Sequence, residues 1–300
     1  MMNSDREKTG FIALIGRTNV GKSTLLNEIL QQKISITSRK PQTTRHKLIG
    51  IKTNGGNQII FLDTPGFHRS HKKALNKHMN KVALSAIKGV DMVLFMVESL
   101  RFSEEDKSLL DQIPKNKENV FLIINKIDKT SSKNDLLPFI SSLSGHFNFT
   151  EVIPISALKK INIENVENAI TSRLPFGQHL YPKDQVADTT ERFLSSEIIR
   201  EKCITRVGDE IPYCLTVVID EFKEQEKITH INATLYVEKN SQKGIVIGKE
   251  GRKLKAIGTS ARKELEDILA TKVMLKLWVK VSRDWTNNTE TMNSMGFNIG

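Results

Sequence analysis

The stretch Gly16-Arg17-Thr18-Asn19-Val20-Gly21-Lys22-Ser23 fits the spacing G-x-x-x-x-G-K-[ST], and its flanks turn a short motif into a constraint on the fold. Phe11-Ile12-Ala13-Leu14-Ile15 ahead of it is an apolar run with the length of a buried strand. Behind it, Leu25, Leu26, Ile29 and Leu30 recur at helical spacing. A strand, a glycine loop and a helix in that order curl backbone N–H groups around phosphate oxygens and add the positive end of the helix. Gly16, Asn19, Val20, Gly21, Lys22, Ser23 and Thr24 are therefore expected to line a nucleoside triphosphate. Lys22 would reach the β- and γ-phosphates, and the Ser23 hydroxyl would ligate Mg²⁺.

Apolar runs recur downstream at Ile59–Leu62, Val90–Val97, Val120–Ile124 and Val152–Ile155, with helix-like stretches such as Leu75–Ile87 and Glu104–Ile113 between them. This alternation predicts an α/β domain with a doubly wound, mostly parallel sheet and ligands at the carboxyl ends of its strands. Polar motifs stand at those ends. Asp63-Thr64-Pro65-Gly66 follows the first run, and Asp63 is placed to hold Mg²⁺ through its hydration shell. Asn125-Lys126-Ile127-Asp128 follows the third run, and Ser156-Ala157 follows the fourth.

These motifs select the base. The Asp128 carboxylate accepts from guanine N1–H and the 2-amino group, a donor pair that adenine lacks. A site built on such hydrogen bonds discriminates by roughly 10⁴–10⁵. Asn125 would brace the loop, Lys126 would pack its stem along the base, and the Ala157 N–H would meet guanine O6. GTP or GDP with Mg²⁺ is the expected ligand set. Between the phosphate loop and Asp63 lies the polar, proline-broken loop Ser38–Arg45. Thr43 and Thr44 both stand in it as candidate Mg²⁺ ligands, and Thr44 joins Ser23 and Asp63 in the expected metal set. GTP is expected to order this loop and Gly66–Lys73, and hydrolysis to release them.

The residues after 188 follow another pattern. A linker rich in proline and polar residues covers 176–188. A helix beginning near Thr189/Thr190, strands at Tyr213–Ile219 and Ile228–Val237, two further helices and a strand at Val273–Val281 give the order α-β-β-α-α-β. Gly248-Lys249-Glu250-Gly251 sits between the two later helices. The order and the G-x-x-G resemble a small α+β KH domain of type II, whose glycines let an RNA backbone approach closely. Ile247, Gly248, Lys249, Gly251, Arg252, Lys253 and Lys255 are the expected RNA contacts, and Lys280 on the last strand is expected to extend that surface.

The sequence thus divides into residues 1–175, the linker 176–188, an RNA-binding domain over 189–285 and a loose tail over 286–300. With 38% apolar and 26% charged residues it is globular in composition. No apolar run approaches the ~18 residues of a membrane-spanning helix, and the polar N-terminus has no secretory core. Cys203 and Cys214, in apolar periodic segments, are expected to be buried thiols. The net charge of +11 is concentrated early: residues 1–185 hold 27 Lys and Arg against 17 Asp and Glu, residues 186–285 hold 18 against 16. Its densest run is Arg69, Lys72, Lys73, Lys77, Lys81 and Lys88, which suits a polyanion such as RNA or acidic lipid.

Gly16–Asn27, Lys33–Arg45 with Gln42-Thr43-Thr44-Arg45, and Asp63–Gly66 together resemble the Era family of translation-factor-like GTPases, and the resemblance runs through the second half. Thr18 departs from the proline usual there. The resemblance implies a GTPase of small (30S) ribosomal subunit assembly that binds 16S rRNA near its 3′ end. A monomeric cytoplasmic protein with peripheral contact at the inner membrane is part of that expectation. Phe67 follows Asp63–Gly66 where Ras-like GTPases carry a water-positioning glutamine. GTPases that share this asparagine and a hydrophobic residue at that point include members that use it to hold K⁺. Asn19 therefore joins Lys22 and Thr44 in the expected catalytic set, with K⁺ as a further expected cofactor.

Overall fold

The computed structural model describes residues 7–38, 40, 43–67, 73–130, 132–208 and 211–297. Of the expected features, Arg39, Pro41 and Gln42 of the Ser38–Arg45 loop, His68–Lys72 and the N-terminal residues 1–6 lie outside the described residues. The elements run β1 (Lys8–Ile15), α1 (Lys22–Leu30), β2 (Leu48–Asn54), β3 (Asn57–Asp63), α2 (Ala74–Ser85), β4 (Met92–Glu98), α3 (Glu104–Leu110), β5 (Val120–Asn125), α4 (Leu136–Ser144), β6 (Glu151–Pro154) and α5 (Ile163–Ser172). They continue with α6 (Glu191–Arg206), β7 (Thr216–Gln225), β8 (Ile228–Val237), α7 (Asn240–Ile247), α8 (Arg252–Leu269), β9 (Lys272–Val281) and α9 (Thr289–Ser294). Two compact units result: Met1–Ser35, Thr44–Arg69 and Met79–Asp188 form one, and Ile36–Thr43, Ser70–His78 and Thr189–Gly300 form the other.

In the first unit the sheet order is β2-β3-β1-β4-β5-β6. Only β2 runs antiparallel to its neighbour. β1, β4 and β5 are buried on both faces, which explains their near-continuous apolar sequence. Alternate residues feed opposite layers: Ile12 and Leu14 pack with Leu25, Leu26 and Ile29 of α1, and Val166 and Ile170 of α5. Ala13 and Ile15 pack on the other side with Leu109 and Leu110 of α3 and Leu143 of α4. This sandwich leaves the carboxyl ends of β1, β3, β5 and β6 in one row, each followed by a polar motif.

The second unit is a three-stranded sheet, β7-β8-β9, with β7 antiparallel and β9 parallel to β8. Thr190 caps α6, its hydroxyl accepting from the Phe193 N–H at 3.2 Å. A parallel β8–β9 pair needs a long crossover, and α7, the G-x-x-G and α8 supply it. Ile198 and Cys203 of α6 and Ile257, Ala261 and Leu265 of α8 pack on one sheet face, against Ile231, Ala233 and Leu235. A bulge between Ile219 and Glu221 turns Phe222 back towards this core. Both cysteines are free and buried, and burial pushes the Cys203 thiol up to about 12.

One expectation needs correction. Within the expected loose tail 286–300, the described residues 286–297 are structured: α9 forms there, and Met292 and Phe297 are buried. The reason is Trp285, fully buried, whose Nε1 donates to the Cys214 carbonyl at 2.9 Å and whose ring lies 5.7 Å from that of Phe297. Thr37, Thr43, Lys73 and Leu75, which follow the nucleotide motifs in sequence, also bond inside this unit. The Thr37 N–H donates to Glu201 at 2.8 Å, and Arg200 donates to the Thr43 carbonyl while paired with Glu197. Lys73 pairs with Glu238 at 3.1 Å, and the Leu75 N–H donates to Thr286 O at 3.0 Å.

Candidate nucleotide and RNA sites

The loop between β1 and α1 closes around Lys22. Its ammonium donates to the carbonyls of Gly16 and Arg17, each at 3.0 Å, and the side chain is 6% exposed. Burial lowers its pKa to about 8 against the opposing charge of Asp63. Gly21, with φ of 106°, leaves no choice of residue: a Cβ there would sit 2.2 Å from the Asn125 amide nitrogen. That amide donates to the Val20 carbonyl at 2.7 Å, and its oxygen accepts from the Ala157 N–H at 3.0 Å. Asn125 thus ties the phosphate loop to the Ser156-Ala157 loop, and takes the Ala157 N–H that the sequence assigns to guanine O6. Asp128 is solvent-exposed and accepts a hydrogen bond from the Ser156 hydroxyl.

Ser23, Thr44 and Asp63 meet. The Ser23 hydroxyl lies 2.8 Å from both Thr44 Oγ1 and Asp63 Oδ2. Thr43 instead turns its hydroxyl to the Lys40 carbonyl at 2.8 Å, so of the two threonines Thr44 faces Ser23. Asp63 is fully buried, and burial raises its pKa in opposition to Lys22 and the hydrogen bonds from Ser23 and Ser35. Among the described residues its Oδ1 is buried without a hydrogen-bond partner. A buried carboxylate with one oxygen unspent, beside two hydroxyls, is the all-oxygen donor set that suits Mg²⁺. Thr64 anchors the next turn through the Leu14 carbonyl at 2.8 Å, and the Phe67 N–H donates to Gly16 O at 3.2 Å. The Phe67 side chain is 7% exposed and belongs to the core.

Sequence reasoning passed over Glu98. It ends the apolar strand β4 and takes Arg17 of the phosphate loop at 3.0 Å and Lys126 of the base loop at 3.0 Å. Arg17 also reaches Asp106 at 3.1 Å, and Asp106 forms a capping box with Ser103 at the start of α3. Partial burial opposes ionisation of Glu98, but Lys126 and Arg17 outweigh it and hold the carboxyl below its usual range. The signal was present: a lone acid at the carboxyl end of a buried strand, as Asp63 is. Glu98 joins the two halves of the site, so Glu98→Gln should speed GDP release by about tenfold while leaving the preference for guanine over adenine unchanged. Stopped-flow release of a fluorescent GDP analogue, with ATP competition, measures both; an unaltered release rate would remove Glu98 from the site.

In the second unit α7 ends at Gly248, with φ of 73°, where a Cβ would come within 2.7 Å of Lys253 Cβ. Lys249, Arg252 and Lys255 are exposed around the turn, Arg252 paired with Glu250 at 2.6 Å. Lys280 is not brought to this surface. It stands on the sheet face opposite to the one that α8 packs against, because Val279 and Val273 of the same strand face the core.

Fold and geometry define a phosphate-loop GTPase domain joined to a KH domain. A family model described as "50S ribosome-binding GTPase" matches residues 11–126, and one described as "KH domain" matches residues 210–286. GTPase Era of Azotobacter vinelandii (strain DJ) is 45% identical over 297 residues, spanning 99% of this chain and 99% of that protein. A crystal structure of Era in complex with MgGDPNP and nucleotides 1506–1542 of 16S ribosomal RNA superposes with a TM-score of 0.94 at 38% identity, covering 98% of this chain and 100% of that one. An Aquifex aeolicus Era variant bound to GDP·AlF₄⁻ gives 0.93, also at 38% identity, covering 97% and 100%. The chain belongs to the GTPase Era family.

Proposed function

We propose that this protein is a GTP-hydrolysing switch that binds 16S rRNA near its 3′ end through the KH domain during assembly of the small ribosomal subunit. The convergence of Ser23, Thr44 and the half-satisfied Asp63 beside the buried Lys22 carries the enzymatic part of the reading. The solved relative that holds MgGDPNP together with 16S rRNA nucleotides supports the ligands and the RNA target. Gly16, Asn19, Val20, Gly21, Ser23 and Thr24 cradle the phosphates; Asp128, Lys126, Asn125, Ser156 and Ala157 take guanine. Thr64, Pro65 and Gly66 carry the backbone past the γ-phosphate.

Lys22 supplies positive charge to the β- and γ-phosphates, and the bond strengthens as charge moves on to the leaving oxygen. Ser23 and Thr44, with Asp63 beside them, would hold Mg²⁺, which would supply charge neutralisation to the phosphates. Thr37 and Thr43, shortly before Thr44, are hydrogen-bonded inside the second unit. The chain itself therefore gives the nucleotide state a route to the KH domain. Cytoplasmic action as a monomer belongs to the same reading. Among the described residues no helix is long and apolar enough to cross a membrane, so peripheral membrane contact would rest on charged surface. Multiple-turnover phosphate release, with binding of a 16S rRNA 3′ fragment against unrelated RNA at matched salt, tests both parts. Absence of turnover would leave GTP as a ligand only, and equal binding of both RNAs would remove the rRNA target.

Phe67, which stands where Ras-like GTPases carry the water-positioning glutamine, has no donor or acceptor and its ring lies in the core. Asn19, exposed in the phosphate loop with φ of 61°, would hold K⁺, and the ion would supply positive charge to the transition state. Turnover should be roughly tenfold faster in K⁺ than in Na⁺ at equal ionic strength, below the roughly 10²–10³ that one preorganised charge-stabilising donor supplies. Asn19→Ala should abolish the difference and spare GDP binding. Equal rates in the two salts would return the missing group to an RNA or protein partner.

A further inference from the structure

The face of the KH sheet opposite its helices has a composition that the G-x-x-G surface does not explain. Along β9 the outward residues are Lys272, Met274, Lys276, Trp278 and Lys280, all exposed. Trp278 is 45% exposed and Met274 43%. On the neighbouring strand, His230 lies opposite Met274 and Tyr236 opposite Lys280. β9 is an edge strand, and lysines on an edge protect it from pairing with another chain. Edge protection accounts for the lysines but not for an exposed tryptophan set between two of them.

Charge and spacing indicate what the face takes. Same-face residues on a strand stand about 6.6 Å apart, so cation and flat apolar surface alternate along the strand. A single-stranded nucleic acid alternates phosphate and base in the same way, and surfaces that bind it combine a basic track with side chains on which bases stack. None of the three lysines is ion-paired among the described residues. The carboxylates on this face belong to β7, with β8 between them and β9. Both are engaged, Asp220 by the Thr234 hydroxyl at 2.7 Å and Glu221 by the Asn232 amide. A protein partner fits less well, because lysine is depleted from the cores of protein interfaces.

We infer that the outer face of β9, through Trp278 with Lys276 and Lys280, is a second binding surface for single-stranded RNA, separate from the G-x-x-G turn. It binds with little sequence preference, since stacking accepts any base.

Tryptophan fluorescence isolates it. Trp285 is fully buried, so a change on adding RNA reports Trp278. The full chain carrying Gly248→Asp and Gly251→Asp is titrated with an oligouridylate of about ten nucleotides, within the site sizes of single-strand surfaces. Gly251→Asp alone serves as a second background, since nothing lies within 4 Å of a Cβ at Gly251. Saturable quenching is expected in both. Trp278→Ala should weaken binding of the oligonucleotide by about fivefold or more. Lys276→Gln with Lys280→Gln should flatten the logarithmic salt dependence by about 0.7 for each phosphate no longer neutralised. Quenching that RNA does not produce, or an affinity that Trp278→Ala leaves unchanged, overturns the proposal. So does a spectral shift that grows with protein concentration without RNA, which would mean that a second copy covers the face. Loss of 16S rRNA binding in the glycine variants without any Trp278 signal would remove this surface and leave the G-x-x-G reading standing.

Discussion

Asp128→Asn should weaken GTP binding by roughly 10⁴-fold, the scale at which a site built to hydrogen-bond a substrate rejects one that cannot pair. The substitution replaces an acceptor with a donor at the guanine N1–H and 2-amino edge. It should also raise affinity for xanthosine triphosphate, whose 2-carbonyl accepts what the new amide donates. The structure indicates that the change stays local. Asp128 is exposed, and its contact with the Ser156 hydroxyl needs only an oxygen, which the asparagine amide retains. The brace between the loops belongs to Asn125, through Val20 and Ala157, and is untouched. Lys22 and its two carbonyl contacts are also remote from the change. Calorimetric titration with GTP, ATP and xanthosine triphosphate separates the effects. A GTP affinity within tenfold of the parent would refute base recognition by Asp128.

What could be read from the sequence, and what could not, follows from how far each interaction reaches. The phosphate loop, Asp63 and Asn125–Asp128 were legible because each motif directly follows an apolar strand, and parallel strands align such ends in one row. The structure brings Ser23 within hydrogen-bond distance of Thr44 and of Asp63. The choice of Thr44 over Thr43 was not legible. Neighbours in a loop differ only in which way they turn, and that is set by the contact of Thr43 with Lys40. Glu98 was overlooked because its partners, Arg17 and Lys126, are 81 and 28 residues away. The tail was misjudged for a related reason. Its polar composition hides Met292 and Phe297, and their burial depends on Trp285. Lys280 was placed with the G-x-x-G by charge alone, whereas the alternation of β9 sends it to the other face.

Gly248→Asp with Gly251→Asp should raise the dissociation constant for the 16S rRNA 3′ fragment at least about 100-fold, while RNA-free GTP hydrolysis stays within twofold of the parent. Two effects are combined, and the structure separates them. At Gly248 a side chain meets both a φ of 73° and the Lys253 side chain, so the substitution there deforms the turn. At Gly251 the φ of 72° remains but the space is open. Aspartate and asparagine tolerate the left-handed region better than other residues, so Gly251→Asp adds chiefly a negative charge where phosphate must approach. Gly251→Asn is the matched neutral control. If charge is the cause, Gly251→Asp loses specific binding and Gly251→Asn keeps most of it. If shape is the cause, the two are equally impaired. In either case the weak, sequence-tolerant binding assigned to Trp278 should persist, because β9 lies outside the turn. Filter binding over a salt series gives the affinities, and phosphate release on the same samples gives hydrolysis. Parental affinity in the double variant would mean that specific rRNA recognition lies elsewhere on the protein, whatever the turn resembles.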